Sequence, residues 1–324
     1  MPRRDWFEQD ADSVNERYIE YLATNKLFSD QRDVVTVDRF GEYVRPIYEA
    51  KKIDLREDGV EKPSLKVANY FKEILESSSG DVTSAIREHL PDVDPEAEGT
   101  SKYLQGVSKT GGTLFAYLLV YNLAENLLGT DVAVAYHMPT EMREATDLTR
   151  NHGDETLSLK LEGDLVIFKP DDPTAPTIML SMKTSMKERS HIVTMWALFR
   201  DIARDEERRK EYGLTVDDPH NILDNVIYCF ATCDLSGDFD DEPRNLIKMD
   251  LSFVDYGFLA RSDVDGARST VNLDDKHLIH HMDAVYDLIS KVYDIDYDKF
   301  GQVEFELTDD GIKRNRELGE FADK

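Results

Sequence analysis

Asp164 lies in the segment EGDLVI, and seventeen to nineteen residues later Ser181, Met182 and Lys183 stand in IMLSMK. If the two segments are paired strands, alternation puts Ser181 and Lys183 on one face, within reach of Asp164 across the ladder. An acid, a short hydroxyl and a lysine then converge. Such a group suits phosphodiester hydrolysis. The carboxylate can hold Mg²⁺, which polarises the phosphoryl group and acidifies a bound water. The lysine can orient that water and offset charge developing on the phosphate. Ser181 can support the metal or the lysine, and the Met182 carbonyl offers a further hard oxygen. On spacing alone the pattern is common, and a hairpin with an exposed acid and lysine explains it better.

The elements needed to present these groups are legible around them. Residues 157–168 (LSLKLEGDLVIF) and 177–183 (TIMLSMK) have strand composition and are joined by KPDDPTAP, which predicts a hairpin. Residues 190–212 predict one long helix, with Ile192, Met195, Trp196, Phe199, Ile202 and Ala203 on an apolar stripe and Arg204, Arg208 and Arg209 outside it. NVIYCFAT (225–232) is continuously apolar, as a central strand buried on both faces would be. KMDLSFVDYGFLA adds a strand, or a short helix and a strand, and HLIHHMDAVYDLISKVY a helix. Ahead of the hairpin, residues 112–128 are apolar almost all round and must be buried on most sides, with Gly129 as the stop. The first ninety residues read as helices, including a short one at 81–90, and PDVDPEAEG (91–99) reads as a linker. The expected organisation is an N-terminal helical domain, 1–95, followed by an α/β domain, 100–324, built on a mixed sheet.

The residues beyond Lys183 give the pattern its context. GDLVIF and then IMLSMKTSMKERSHIV resemble the catalytic hairpin and recognition segment of the type II restriction endonucleases of the PD-(D/E)XK superfamily, in the group that reads CCGG. In that group S-x-K carries serine where most relatives have an acid. Lys187, Glu188 and Arg189, four to six residues past the lysine, stand where the group has a basic, acidic, basic triplet. FATCDLSGDF, MDLSFVDYGFLA and a helical domain in front are most similar to the BsaWI family. The resemblance covers residues 100–300 with varying strength and is most specific over 181–189. It implies a restriction-endonuclease-like mixed sheet flanked by helices. It also implies Mg²⁺-dependent hydrolysis of double-stranded DNA at a CCGG-containing palindrome, with Asp164 holding the metal, Lys183 positioning the water and Ser181 in support. A homodimer or tetramer and a cognate DNA methyltransferase in the same system belong to the same expectation.

The triplet also has a physical reading. In the major groove guanine offers two acceptors, which suit Lys187 and Arg189, whereas the cytosine amino group is a donor that suits Glu188. A two-fold dimer reads a palindrome twice, and the amides opening the next helix would favour phosphate nearby. By itself, K-E-R would be a solvated helix start.

Two departures carry weight. Relatives generally have a further metal-binding acid, on the helix before the hairpin or thirteen to fourteen residues past the lysine; here those positions hold Ala116, Trp196 and Ala197. Glu125, Glu162 and Asp201 are possible substitutes. Lys187 stands where arginine is common, which removes the two-pronged donor for guanine. A catalytically inactive DNA reader, or a repair or recombination nuclease of the same fold, are the alternatives.

Composition bounds these readings. With 39 Lys plus Arg against 66 Asp plus Glu, the formal charge is 39 − 66 = −27, which repels DNA and acidic lipids at low ionic strength. At ~1 M salt the screening length falls to about 3 Å, so only close contacts survive. Acid spread evenly along the chain is the pattern of a halophile's proteome, so the charge leaves DNA open as a partner. No run approaches the ~20 apolar residues of a membrane span, and MPRRDWFEQD lacks the apolar stretch of a signal peptide; a soluble, cytoplasmic protein is expected. Cys229 and Cys233 read as two buried thiols rather than a metal or redox pair. His277, His280 and His281 have helical spacing but no completing ligand set. KTGGT (109–113) lacks the order of a phosphate loop and reads as a turn opening the buried helix.

Overall fold

The computed structural model describes residues 9–24, 40–89, 100–136, 139–161, 163–185, 190–218, 222–241, 245–274, 279–308 and 311–315. The linker expected at 91–99 lies outside them. Helix α1 (Ala11–Thr24) is followed by a π-helical turn (Phe40–Val44) that runs into α2 (Arg45–Glu57). Then come α3 (Pro63–Lys66) and α4 (Phe71–His89). Prolines fall in the first turns of α2 and α3, where the missing N–H has no intrahelical acceptor to lose. The separate helix expected at 81–90 is the continuation of α4.

Helix α5 (Thr100–Leu127) begins twelve residues before the expected 112, so KTGGT lies inside it rather than in an opening turn. Gly129, at φ +81°, follows its end. Residues 114–128 are all buried, as the apolar composition requires. The polar exceptions bond outward to other elements. Asn122 Nδ2 donates to the Tyr48 hydroxyl (2.9 Å) and the Ser64 carbonyl (2.7 Å), and the Tyr286 hydroxyl donates to Asn122 Oδ1 (2.8 Å).

The strand region starts with β1 (Ala133–Tyr136), α6 (Thr140–Ala145), β2 (Asp147–His152) and β3 (Glu155–Lys160). It continues with β4 (Leu165–Phe168), β5 (Thr177–Lys183), α7 (Ser190–Arg204), α8 (Glu206–Tyr212) and β6 (Thr215–Val216). Next are β7 (Val226–Thr232), α9 (Asn245–Leu251), β8 (Tyr256–Leu259), β9 (His280–His281) and α10 (Ala284–Tyr293). A hairpin, β10 (Glu304–Thr308) and β11 (Gly311–Asn315), completes the described chain.

Six strands in the order β1-β4-β5-β7-β8-β9 form the central sheet. The β1–β4 and β4–β5 pairs are antiparallel, and β5–β7, β7–β8 and β8–β9 are parallel. This is the expected mixed sheet flanked by helices. Parallel neighbours need crossovers: α7 and α8 lie between β5 and β7, and α9 between β7 and β8. Both connections step the same way across the sheet, and α7 and α9 pack on each other.

Three expectations are corrected here. The strand expected over 157–168 is two: β3 pairs with β2 in a separate three-stranded sheet with β6, and only β4 enters the central one. The helix expected over 190–212 breaks at Asp205, whose carboxylate caps α8 by accepting from the amides of Glu207 and Arg208. His280 and His281 form an edge strand rather than a helical face, with His280 packed against the Tyr256 and Phe258 rings; His277 lies outside the described residues.

Candidate active site

The β4–β5 hairpin decides where the candidate residues stand. Its ladder pairs Leu165 with Leu180 and Val166 with Met179, a register that places Asp164 opposite Ser181. Asp164 precedes β4 by one residue, yet its amide still donates to the Leu180 carbonyl at 2.9 Å, so the backbone is held by the ladder while the side chain is released from it. Gly163 is needed just before: a Cβ there would lie 2.9 Å from the Met179 side chain.

Asp164 Oδ2 accepts from the Met182 amide at 2.6 Å and from the Lys183 ammonium at 3.0 Å. Ser181 is buried on the same face. The spacing in sequence predicts that Asp164, Ser181 and Lys183 meet; the structure joins Asp164 to Lys183, and the ladder register sets Ser181 opposite Asp164. Within the pair, Lys183 is mostly covered, with 16% of its side chain exposed, while 42% of the Asp164 side chain is open to solvent. The carboxylate is thus the accessible partner. Because the Met182 N–H points toward Asp164, its carbonyl lies on that same edge of β5.

Beyond Lys183, the chain is braced by the turn after β7. The Leu235 amide donates to the Thr184 carbonyl (2.8 Å), and Ser185 Oγ donates to Asp238 Oδ2 (3.3 Å). That turn is itself organised by buried Asp234, which accepts from the amides of Asp238 (2.7 Å) and Phe239 (3.1 Å) and from Arg261 (2.7 Å). These bracing residues are legible in sequence only as an acidic loop. Asp234 takes a left-handed backbone, φ +50°, which an aspartate tolerates better than most residues.

Helix α7 is fixed by arginines that periodicity alone puts in solvent or leaves unassigned. Arg200, 2% exposed, pairs with Asp255, whose carboxylate also accepts from the Tyr228 amide at 2.9 Å. Arg204 donates to the carbonyls of Leu223 (2.9 Å) and Val226. Two guanidiniums thus tie α7 to the starts of β7 and β8.

Two of the three candidate replacements for the missing acid, Glu125 and Asp201, are engaged elsewhere. Ala116, Trp196 and Ala197 are buried. Glu125 is used elsewhere: its carboxylate accepts from the Tyr48 hydroxyl and the Lys52 ammonium (2.9 Å) between α2 and α5. Asp201 pairs with Arg200 at 2.9 Å. Among the described residues, no group of three or more His, Cys, Asp and Glu side chains could hold a metal ion. Glu162, Lys187, Glu188 and Arg189 lie outside the described residues. The groups present suit a hard cation in one limited way, as one carboxylate with a main-chain oxygen beside it, the sparse protein ligation that Mg²⁺ accepts when phosphate and water complete its shell. Cys229 and Cys233 are free and buried, and burial pushes both thiols well above their ordinary range, so neither offers a thiolate.

No protein-family model and no curated protein matches the chain. Among solved structures it is similar to the restriction endonuclease PspGI in complex with substrate DNA, at 14% identity and a TM-score of 0.43, over 83% of this chain and 99% of that one. Among the described residues no helix is long and apolar enough to cross a membrane.

Proposed function

We propose that the chain is a nuclease that hydrolyses both strands of double-stranded DNA at a CCGG-containing palindrome. The observation that carries this reading is the single carboxylate oxygen of Asp164 shared by the Met182 amide and the Lys183 ammonium at the open end of the β4–β5 hairpin. A carboxylate held in that way is oriented before any ligand arrives, and the lysine beside it is placed where a phosphodiester drawn to the site would develop charge. Asp164 and the Met182 carbonyl would hold Mg²⁺, which when bound supplies Lewis acidity toward the phosphoryl oxygen and acidifies water. Lys183 then orients the attacking water and faces the scissile phosphate, and Ser181 packs behind the pair. Lys187, Glu188 and Arg189 are assigned to base reading by their distance from Lys183 and their donor and acceptor chemistry. A homodimer or tetramer and a partner methyltransferase belong to this proposal.

A second reading, a DNA-binding relative without catalysis, is favoured by Ala116 and by the absence of a three-ligand group among the described residues. Plasmid incubated with the purified chain, Mg²⁺ and high salt separates the two. Discrete fragments ending at CCGG support the nuclease; specific retention of CCGG duplex without cutting supports the reader; cutting of branched DNA without site preference points to a repair enzyme.

A further inference from the structure

Strand β5 outruns its antiparallel neighbour. The β4–β5 ladder stops at Leu165 with Leu180, whereas on the other edge β7 accompanies β5 as far as Lys183 with Thr232. Past the end of β4 the Asp164 carboxylate takes the place of a strand, accepting from the Met182 amide. The end of β5 is thus held on one edge by the candidate metal ligand and on the other by β7 and the turn that follows it. A lysine ammonium rides on a flexible four-carbon stem, so where it rests depends on how that strand end is fixed.

The turn after β7 grips the two residues beyond Lys183. The Leu235 amide donates to the Thr184 carbonyl at 2.8 Å, and Ser236 Oγ donates to Ser185 Oγ at 2.8 Å. Asp234 sets the shape of this turn. Its carboxylate is wholly buried, with one oxygen accepting from the Asp238 amide and the other from the Phe239 amide and Arg261. A buried charge of this kind is tolerated only with a counter-charge and filled hydrogen bonds. Arg261 supplies the counter-charge and is itself fixed in direction. Its Nε and Nη2 donate to the two oxygens of Asp263 (2.9 and 2.8 Å), and Nη1 is shared between Asp234 and Asp240. Two-pronged pairing of this kind adds geometric specificity to the attraction. The Ala260 amide, donating to the Thr232 carbonyl at 2.8 Å, delivers Arg261 to the end of β7.

We infer that Asp234, locked by Arg261, is a positioning residue for Lys183. It shapes the turn that holds Thr184 and Ser185, and the held strand end sets the ammonium on Asp164. The catalytic meaning of this placement rests on the proposed function; the placement itself exists without DNA and can be measured without it.

The test compares folded full-length chains, with folding checked by circular dichroism. Lysines are acylated in a short pulse and scored by peptide mass spectrometry, with Lys210, 72% exposed on α8, as internal reference. Lys183, 16% exposed and paired with Asp164, should label slowly in the wild type. Asp234→Asn keeps the shape and the left-handed backbone but loses the charge, and should raise Lys183 labelling several-fold; Arg261→Gln should do the same. Arg261→Lys, which restores the charge without the fork, should fall between Arg261→Gln and the wild type. Asp250→Asn alters another buried carboxylate, one bonded to Thr194, and should leave Lys183 labelling unchanged. Unchanged labelling in folded Asp234→Asn overturns the assignment, as does an equal rise in Asp250→Asn. If Asp234→Asn does not fold, the two Arg261 variants decide by the same comparison. Where the wild type cuts DNA, Asp234→Asn should slow single-turnover cleavage by about 10²-fold at unchanged duplex affinity; an unchanged rate, or an equal loss of affinity, also overturns the assignment. A wild type that never cuts, with Lys183 labelling raised in the variants, removes the nuclease reading and keeps the placement.

Discussion

At the scale of single residues, the proposed nuclease makes the Asp164–Lys183 contact the place where catalysis and binding separate. Lys183 is the mostly covered member of the pair and Asp164 the exposed one, so truncating the lysine removes a positioned charge without removing the ligand presented to solvent. Lys183→Ala should slow single-turnover cleavage by about 10² to 10³-fold while duplex affinity, measured by titration in the same buffer, is unchanged. Equal cutting rates in the variant and wild type would remove Lys183 from the mechanism. Lys187 offers a different handle. An ammonium is a point donor, whereas a guanidinium presents two parallel donors to guanine. Lys187→Arg should therefore strengthen discrimination at its guanine by about 1–3 kcal/mol, read as the ratio of affinities for CCGG and a single-base variant. No gain for the variant would argue that residue 187 does not read a base.

At the scale of elements, the buried helix α5 is joined to α2 by charge as well as by apolar contact. Glu125 is 5% exposed and Lys52 15% by side chain, and the Tyr48 hydroxyl donates to the same carboxylate. Burial raises the Glu125 carboxyl above its ordinary 4.5, with Lys52 opposing the rise. Burial likewise works to strip Lys52 of its proton, but Glu125 and Glu49 outweigh it and the ammonium is retained. Lys52→Met leaves the carboxylate buried without its cation and should cost about 3–5 kcal/mol in denaturant unfolding. The sign of the pH dependence comes from the direction of the Glu125 shift. A carboxyl that binds its proton more tightly when folded adds stability that is whole below 4.5 and is lost as pH rises through the folded value. The deficit of Lys52→Met should therefore shrink toward acid pH; a deficit that grows on acidification would contradict this account of the pair.

At the scale of the whole molecule, a charge of −27 makes ionic strength part of the proposed encounter with DNA. Ordinary DNA binding weakens steadily with salt. Here repulsion between chain and duplex is relieved by the same salt that weakens the contacts, so specific affinity should pass through a maximum at raised ionic strength. Fluorescence titrations from low salt to ~1 M check this, and a monotonic fall would show that local contacts outweigh the overall field. The same division between local and global runs through the molecule. Strand β5, the central strand β7 and the buried stretch of α5 were legible because alternation, continuous apolarity and glycine stops are properties of neighbouring residues. So was the approach of Asp164 and Lys183, since a short hairpin leaves few ways to pair its strands. The break between β3 and β4 was not legible, because their residues have similar strand propensity and only pairing with β2 and with β1 and β5 sends them into different sheets. Nor was the fate of the charges. Arg200, Arg204, Asp234 and Glu125 look in sequence like any others in an acidic chain. Partners brought from 19 to 77 positions away turn them into buried ties, and a buried charge is tolerable only where the fold delivers its counter-charge or hydrogen-bond partner. The sequence by itself determined which residues could do chemistry and that a hairpin would present them; the tertiary structure alone decided which charges remain available for it, because burial and pairing are set by contacts between distant parts of the chain.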